Sequence, residues 1–422
     1  MERIIVRPNS LSGKIKAIPS KTYGHRMIIL SALSKRPSRI IIDEYNDDLL
    51  ATLNCIRELG ADYFIDGKIL EITPIKKVKP KPLLNAEESG STLRFIIPVA
   101  TALFENTIID AEGSLKSRPI KPLLDGLSKV GVKFSRKALP IETFGKFTGG
   151  EIELPGHVSS QFISGILLAA SVTHKDTKII LTSNLESKAY VDVTIDVLKS
   201  YGIDVEKNCN GFFVKGGQIL KPQKEVIVEG DWSNAAAFLV AGALHGEVEI
   251  TGLNIDSIQG DRVILDILKS FGAEVFISDT IKVKSKQKHP IKIDVNECPD
   301  LLPVLSILAC GASGQSVFIG CHRLKLKESD RLKNSMELIN LLGGKAFIKD
   351  ESLIVNGSGY LLGGKVKSFG DHRMAMAGTI ASLISKNDIQ IDEFTAINKS
   401  YPRFFEDFKC LGGDVVEFNN WK

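Results

Sequence analysis

The stretch Leu265-Asp-Ile-Leu-Lys-Ser-Phe-Gly-Ala-Glu-Val275 has the pattern of the last turns of an amphipathic helix, a glycine that ends the helix, and the start of a strand. The same pattern occurs six times along the chain. Its glycines are spaced by 71, 71, 70, 71 and 69 residues: Gly60, Gly131, Gly202, Gly272, Gly343 and Gly412. A period this constant over the full length indicates internal duplication into six similar units.

Each unit is predicted to run β-α-β-α-β-β, from its alternation of strand-like and helix-like periodicity. The first unit has predicted strands and helices at Lys14–Ile18, Lys21–Leu33, Arg39–Asp43, Asp47–Leu59, Ala61–Ile65 and Ile69–Thr73. In the third unit they include Glu151–Leu154, Ser159–Val172, Lys178–Leu181 and Tyr190–Tyr201, and in the sixth Lys365–Ser368, Asp371–Ile384 and Ile389–Ile391. Two lobes of three units each are the economical arrangement, with the polar stretch Lys221–Glu225 as the expected boundary.

The composition is that of an ordinary globular α/β protein, because 43% of the 422 residues are apolar and 25% are charged. A net charge of +4 is too small to indicate nucleic-acid binding by itself. The apolar runs near Phe95–Phe104 and Ile163–Val172 are too short to span a bilayer. The start of the chain has no signal-peptide pattern, so a cytoplasmic protein is expected. The six cysteines show no disulfide or zinc spacing.

Polar and cationic residues collect where helices are predicted to start. Free N–H groups and the helix dipole make a helix start attractive to anions and unfavourable to cations unless an anion offsets them. The repeated pattern therefore predicts phosphate or carboxylate ligands. The sites are Lys21-Thr22, Ser89-Gly90-Ser91, Arg118-Pro119, Ser159-Ser160-Gln161, Ser187-Lys188, Lys327-Glu328-Ser329-Asp330-Arg331 and Asp371-His372-Arg373.

Each of these residues also has a purely structural interpretation. Serine, threonine and aspartate are ordinary helix caps, and a single arginine or lysine is often a solvated surface charge. Met374 and Met376 fit core filling, and His372 alone fits a capped or buried histidine. The functional interpretation depends on the whole set.

Six motifs in this set together resemble the 5-enolpyruvylshikimate-3-phosphate synthase (3-phosphoshikimate 1-carboxyvinyltransferase) family, from about residue 13 to about residue 405. They are Pro19-Ser-Lys-Thr-Tyr-Gly-His-Arg26, Glu88-Ser-Gly-Ser-Thr-Leu-Arg94, Leu115-Lys-Ser-Arg-Pro-Ile120, Val158-Ser-Ser-Gln-Phe162, Lys327-Glu-Ser-Asp-Arg-Leu332 and Gly370-Asp-His-Arg-Met-Ala-Met376. The last two are highly specific in combination.

The resemblance implies the two-lobed fold of the enolpyruvyl transferases, of the inverted α/β barrel type, with the active site in the cleft between lobes. Residues 20–225 would form the N-terminal lobe, and residues 1–19 with 226–422 the C-terminal lobe. The first strand would thus belong with the C-terminal lobe. The protein is expected to be a monomer that binds neither nucleic acid nor membranes.

The implied reaction transfers the enolpyruvyl group of phosphoenolpyruvate to the 5-hydroxyl of shikimate 3-phosphate and releases phosphate, a step toward chorismate and the aromatic amino acids. No cofactor or metal is implied. The two substrates bring roughly five to six negative charges. Eight matched cations could meet them: Lys21, Arg26, Arg94, Arg118, Lys327, Arg331, Arg373 and Lys399.

The resemblance also implies individual roles. Shikimate 3-phosphate would be bound by Lys21, Thr22, Arg26, Ser159, Ser160, Gln161, Ser187, Tyr190, Asp300 and Lys327. Phosphoenolpyruvate would be bound by Lys21, Gly90, Arg118, Gln161, Arg331, His372, Arg373 and Lys399. Asp300 would act as general base on the 5-hydroxyl, and Glu328 would handle the proton at the methylene carbon, with Lys21 as the other candidate. The structural alternative for Glu328 is a capping-box residue.

The sequence departs from the family pattern at four positions. Thr22 replaces the commoner serine, Glu88 stands where asparagine is frequent, and Arg323 stands where some members have asparagine. Phe95 follows Arg94 where proline is common, next to the loop that admits glyphosate in this family, so sensitivity to that compound is open.

Three rival functions were weighed. The related transferase acting on UDP-N-acetylglucosamine usually has a catalytic cysteine where this chain has Gly113. A polyanion- or RNA-binding protein would need aromatic stacking platforms that the sequence lacks, and Asp300 and Glu328 would repel a phosphate backbone. A repeat scaffold would not need the acid–base pair.

Overall fold

The structure is a computed structural model that describes residues 2–76, 81–222 and 224–418. The chain divides into two compact units, here called unit N (Pro19–Glu229) and unit C (Met1–Ile18 with Gly230–Lys422). Gln223, inside the predicted boundary stretch, lies outside the described residues. None of the helices in the described ranges combines the length and the apolar character that a membrane span needs.

The described residues form 24 strands and 12 α-helices. The strands are β1 (Arg3–Arg7), β2 (Leu11–Lys16), β3 (Ser38–Ile41), β4 (Asp62–Asp66), β5 (Ile69–Thr73), β6 (Leu83–Asn85), β7 (Asn106–Asp110), β8 (Lys133–Phe134), β9 (Ile141–Phe144), β10 (Gly150–Leu154), β11 (Thr177–Leu181), β12 (Glu206–Asn208), β13 (Gly211–Val214), β14 (Glu225–Ile227), β15 (Gly246–Thr251), β16 (Glu274–Ile277), β17 (Thr280–Lys284), β18 (Lys292–Asp294), β19 (Ser313–Ile319), β20 (Ala346–Lys349), β21 (Ser352–Ser358), β22 (Gly364–Lys367), β23 (Ile389–Asp392) and β24 (Asp414–Phe418). The helices are α1 (Lys21–Leu33), α2 (Asp47–Glu58), α3 (Gly90–Leu103), α4 (Lys121–Lys129), α5 (Ser160–Ala170), α6 (Lys188–Ser200), α7 (Trp232–Leu244), α8 (Ile264–Phe271), α9 (Leu302–Cys310), α10 (Arg331–Leu341), α11 (His372–Ala381) and α12 (Phe404–Cys410).

The strands form six four-stranded sheets of one design. In the sheet β6-β7-β9-β8, the first two strands are parallel, and the hairpin β8–β9 pairs antiparallel to β7. Parallel neighbours need a crossover, which α3 supplies here. The predicted β-α-β-α-β-β order is confirmed in the first five units, whereas in the sixth the described residues have a single strand, β24, after α12.

Three of the six units take a strand from a distant part of the sequence. The predicted strand Lys14–Ile18 falls largely in β2, which pairs parallel to β15 in unit C. The first unit takes β14 in its place, parallel to β3. The sheet of the sixth unit is completed by β1, which pairs with both β23 and β24. The sequence reading missed β1 altogether.

The six repeat glycines end the even-numbered helices, as predicted. Gly272 follows α8 with φ 98°, and the other five also have positive φ values, between 78° and 104°. A residue with a Cβ is strained in this region, so glycine allows the chain to leave each helix sharply for the following strand.

Odd- and even-numbered helices differ in burial. Every residue of α9 and α11 is buried, and so are almost all residues of α3, α5 and α7. These helices contact one another within each unit, α3 with α5 and α7 with α9 and α11. Even-numbered helices such as α8 bury only one face. The core of each unit is therefore built on its odd-numbered helices, whose first residues carry much of the predicted site.

Candidate active site

In unit N, Lys21 is the first residue of α1, and its Nζ lies 2.8 Å from Asp48 Oδ2. Both side chains are mostly buried, with 17% and 14% exposed. Asp48 belongs to the first turn of α2, whose cap is Asn46. Asp48 therefore faces Lys21 and does not serve as a helix cap.

One turn further along α1, the Arg26 guanidinium is buried among neutral acceptors. Its Nε donates to Thr194 Oγ1 at 2.7 Å, Nη1 to the Thr22 carbonyl at 2.7 Å, and Nη2 to the Tyr190 carbonyl at 2.9 Å and to Ser164 Oγ at 3.4 Å. Burial lowers the pKa of Arg26 to about 9. These bonds use four of its five N–H groups.

The family departure Phe95 lies beneath Arg26. The guanidinium carbon is 4.8 Å from the centre of the Phe95 ring, and that ring also meets the His25 imidazole edge-on at 6.3 Å. The phenylalanine thus gives Arg26 a cation–π partner.

Gly90 begins α3 and lies against two arginines. A Cβ at this position would be 2.6 Å from Arg94 Nη1 and 2.8 Å from Arg118 Nη1, so any side chain here would displace both guanidinium groups. Arg94 Nη1 donates to Gln161 Oε1 at 2.9 Å, and Gln161 Nε2 donates to Ser91 Oγ at 2.8 Å. Both guanidinium groups and the Gln161 amide therefore meet at the start of α3.

Arg118 is not at a helix start, contrary to the sequence prediction. It follows a short 3-10 helix at Gly113–Ser117, and α4 begins only at Lys121. Helical periodicity does not reveal this 3-10 turn, which places Arg118 between the turn and the start of α4.

The predicted serines and tyrosine of unit N lie at the starts of α5 and α6. Ser159 caps α5 by accepting from the Gln161 N–H at 3.3 Å, and Ser160 is buried behind it. Ser187 precedes α6 in the left-handed conformation with φ 52°, and Tyr190 is half-buried in the first turn. A non-glycine residue in this conformation is uncommon and is often found at functional sites.

In unit C, three carboxylates surround Arg331, the first residue of α10. Nε lies 2.8 Å from Asp371 Oδ2, Nη1 lies 2.5 Å from Asp300 Oδ1, and Nη2 lies 2.7 Å from Glu328 Oε2. The Arg331 side chain is only 1% exposed. Burial disfavours its charge, but the three carboxylates more than offset this and raise its pKa well above the ordinary value.

Asp300 is held by two cations. Lys327 Nζ donates to its Oδ1 at 2.9 Å, beside the bond from Arg331. Burial would raise the pKa of Asp300, but Lys327, Arg331 and Arg373 oppose that effect and keep the pKa well below its usual range. Burial is also the main reason that the pKa of Lys327 is lowered.

Glu328 is not a capping-box residue. Asp330 caps α10 by accepting from the Lys333 N–H at 3.2 Å, so Glu328 lies two residues before the cap, outside the first turn. A capping box needs its glutamate at the third helical position. The structural alternative for Glu328 is therefore wrong, as is the placement of Lys327 and Glu328 within a helix start.

The remaining predicted residues of unit C lie at α11 and just before α12. Arg373 donates to the Ser233 carbonyl at 2.7 Å through Nη1 and to Ser233 Oγ at 2.6 Å through Nη2. His372 is buried, with Nδ1 3.8 Å from Asp371 Oδ1, and Lys399 Nζ donates to the Gly370 carbonyl at 2.9 Å. Met374 and Met376 are core residues, as expected.

Sequence reasoning missed four residues that lie beside predicted side chains: Asp48 beside Lys21, Ser233 and Asp261 beside Arg373, and Asp371 beside Arg331. Asp371 stands inside a recognised motif, and its carboxylate both caps α11 and binds Arg331. Asp48 could have been noticed as a second acid in a helix start already capped by Asn46. Nothing in the sequence pairs Ser233 or Asp261 with Arg373.

Glu88 and Arg323 are two further departures from the family pattern, and both lie against described residues: Glu88 against Gly113, and Arg323 against Asn296. Gly113 has φ 51°, and a Cβ there would collide with the Glu88 carboxylate. Any side chain at this position would need a strained backbone and a shift of Glu88. Arg323 is buried and donates to the Asn296 carbonyl at 3.2 Å. Among the described residues no group of three or more His, Cys, Asp or Glu is arranged to hold a metal ion.

Solved structures identify the class of this fold. EPSP synthase from Acinetobacter baumannii matches with a TM-score of 0.83 at 24% identity, over 99% of this chain and 100% of that one. The enolpyruvyl transferase NikO from Streptomyces tendae matches with a TM-score of 0.80 at 18% identity, over 99% of both chains. The architecture is that of the enolpyruvyl transferases.

Sequence comparisons then give the family. The model of EPSP synthase (3-phosphoshikimate 1-carboxyvinyltransferase) matches residues 5–408. A protein of Clostridium acetobutylicum with the name 3-phosphoshikimate 1-carboxyvinyltransferase is 40% identical over 99% of each chain, and one of Clostridium novyi is 38% identical over 100% of each. This chain belongs to the EPSP synthase family.

Proposed function

We propose that the chain transfers the 1-carboxyvinyl group of phosphoenolpyruvate to the 5-hydroxyl of shikimate 3-phosphate, by addition followed by elimination of phosphate. This is the reaction of its family, in the pathway to chorismate and the aromatic amino acids. One observation supports the residue roles most directly: Arg331 binds both Asp300 and Glu328, through its two Nη atoms. Addition–elimination needs an acid and a base, and a single buried guanidinium places two carboxylates side by side.

Asp300 acts as the general base on the 5-hydroxyl. Its low pKa keeps it ionised at neutral pH, which is the state that accepts a proton. A substrate anion that draws Lys327 away from Asp300 would raise the pKa of Asp300 toward the operating pH and make it a stronger base. Glu328 gives and removes the proton at the methylene carbon, and Lys21 is the alternative carrier.

The binding roles follow the charges. Shikimate 3-phosphate is bound by Lys21, Thr22, Arg26, Ser159, Ser160, Gln161, Ser187, Tyr190, Asp300 and Lys327. Phosphoenolpyruvate is bound by Lys21, Gly90, Arg118, Gln161, Arg331, His372, Arg373 and Lys399. Arg331 has at most one N–H left beyond its carboxylates, so its part is smaller than that of Arg118. Arg118 can offer a bidentate fork.

The protein acts as a cytoplasmic monomer on these small molecules and needs no nucleic-acid partner. Gel filtration with light scattering tests the monomer, since a mass near twice 46.1 kDa would contradict it. Cell fractionation tests the location. Binding to nucleic acid with a steep salt dependence would contradict the small-molecule function.

Phosphate release tests the reaction itself. The full chain is incubated with phosphoenolpyruvate and shikimate 3-phosphate together and with each omitted in turn. Release that requires both substrates supports the proposal. Release with phosphoenolpyruvate alone, or none with both, contradicts it. UDP-N-acetylglucosamine as the acceptor serves as the matched negative control.

A further inference from the structure

Asp261, which sequence reasoning did not connect with the site, lies behind Arg373. It belongs to a 3-10 helix at Gly260–Val263, just before α8, and only 4% of its surface is exposed. The Ser233 side chain lowers the pKa of the Asp261 carboxylate by hydrogen bonding. Ser233 Oγ in turn accepts from Arg373 Nη2 at 2.6 Å. Because a hydroxyl has one proton, Ser233 accepts from the guanidinium and donates to the carboxylate.

The neighbouring residue Gln259 fixes Asp261 against the start of α7. Gln259 Oε1 accepts from the Trp232 N–H at 3.2 Å, and its Nε2 donates to the Gly230 carbonyl at 2.9 Å. The segment 259–261 therefore grips residues 230–233 through two side chains. The link from Asp261 to Ser233 is held in place by the fold.

Arg373 is bound at one edge of its guanidinium only. Nη1 and Nη2 are bonded to Ser233, whereas the buried Nε–H has no hydrogen-bond partner among the described residues. Nε and the second N–H of Nη2 form the fork that binds carboxylate or phosphate bidentately. We propose that Asp261 is a positioning residue, which acts through the Ser233 hydroxyl to hold that fork ready for phosphoenolpyruvate. The inference rests on the proposed function.

Four other groups face Asp261. Asp300 precedes α9, Asp231 caps α7, Arg373 lies on α11, and the Cys298 thiol is nearby. Burial first, and then Asp300, raise the pKa of Asp261 to about 6, although Ser233 and Arg373 act against this. Asp261 is thus anionic above about pH 6 and neutral well below it. Asn mimics the neutral form in size and can still accept from Ser233.

The test compares the wild-type enzyme with Asp261→Asn, with shikimate 3-phosphate saturating, between pH 5 and 8.5. At pH 8 the KM for phosphoenolpyruvate should rise roughly tenfold, the size expected for weakening one charge-assisted hydrogen bond. The KM for shikimate 3-phosphate should stay within about twofold. The ratio of the two enzymes' KM values for phosphoenolpyruvate should approach one near pH 5. Titration of the substrates cancels in this ratio.

Stability separates positioning from a structural role. Since the folded-state pKa of Asp261 lies above the usual value for the unfolded chain, stability falls as pH rises toward about 6, and ionised Asp261 then destabilises the fold. Asp261→Asn should therefore melt no lower than the wild type at pH 8. Asp266→Asn, at a side chain that is 81% exposed on α8, is the matched control and should change neither KM nor melting.

Ser233→Ala tests the route independently of how Asp261→Asn folds. It should raise the KM for phosphoenolpyruvate, and the double variant should match Ser233→Ala alone, because Asp261 then has no path to Arg373. Additive effects, a KM within about twofold of wild type, or a ratio that is constant with pH would overturn the inference. In each of these outcomes the wild type still releases phosphate, so the proposed function would stand.

Discussion

Arg26 in unit N and Arg331 in unit C are both buried, with 2% and 1% exposed, yet they have opposite surroundings. The described acceptors of Arg26 are hydroxyls and carbonyls, and its pKa is lowered. Arg331 is bonded to three carboxylates, and its pKa is raised. A buried cation without a carboxylate is costly until an anion arrives. The comparison shows one buried arginine held by neutral acceptors and one held by carboxylates, which is consistent with the different roles proposed for them.

Replacing each arginine should give the largest contrast in stability. Arg331→Gln leaves three carboxylates without their shared cation, and it should lower the free energy of unfolding by about 3–5 kcal/mol. Arg26→Gln removes a charge that burial already disfavours, so the loss should be clearly smaller. Urea unfolding of both variants measures this. Equal losses of unfolding free energy in the two variants would show that carboxylate and neutral partners stabilise a buried arginine equally.

Glu328→Gln should separate chemistry from folding. Glutamine can still accept from Arg331 Nη2 but cannot carry the carbon proton, so turnover should fall at least ~100-fold while shikimate 3-phosphate binds normally. Exchange of solvent deuterium into the phosphoenolpyruvate methylene should slow in parallel. Glu351→Gln, at a side chain that is 63% exposed, is the control. Near-normal turnover would contradict this role of Glu328 and would make Lys21 the candidate that carries the carbon proton.

Arg118→Lys, in unit N, should weaken the binding of phosphoenolpyruvate and leave the carboxylates of unit C unchanged. Lysine keeps the charge but loses the planar fork, so the KM for phosphoenolpyruvate should rise about tenfold or more, with shikimate 3-phosphate affinity nearly intact. The exposed Arg136, changed to lysine, should have no effect. Steady-state kinetics with each substrate varied in turn decides, and equal losses for both substrates would make Arg118 a structural residue.

Asp300→Asn should lower the stability of the fold less than Arg331→Gln does, and by an amount that depends on pH. Because the folded pKa of Asp300 is depressed, its contribution to stability is present above about pH 4 and is lost as pH falls through the folded value. The variant should be about 1–3 kcal/mol less stable at pH 7, and this difference should shrink below pH 4. Urea unfolding across this range measures it. A difference that is constant with pH would show that Asp300 is not held ionised by Lys327 and Arg331.

Much of the fold could be predicted because its signals are local. Gly272 and its five equivalents each follow a helix whose apolar stripe lies in the preceding residues, and both signals are visible in a short window. The exchange of β2 and β14 could not be found in this way, because their partners β15 and β3 lie far away in the sequence. Only the family resemblance implied that the first strand lies elsewhere.

The predicted site residues show the same difference between local and distant signals. Lys21, Arg118 and Arg331 were found because their motifs are contiguous. Their partners were not, since Asp48 and Asp371 reach the cations only through tertiary packing, 27 and 40 residues away along the chain. The three misplaced residues, Arg118, Lys327 and Glu328, follow short 3-10 turns, which leave no helical period.

The early position of β1 and β2 in the chain has a consequence for synthesis on the ribosome. Both strands emerge first, but their partners β15, β23 and β24 are made only after residue 246 or residue 389. At about 5–20 residues per second, β1 waits on the order of 20 to 80 seconds for its neighbours. Unit N can close as soon as β14 appears, while Ile4 and Val6, fully buried at the end, stay exposed during the wait. During synthesis, β1 is therefore the described strand that stays longest without its sheet partners.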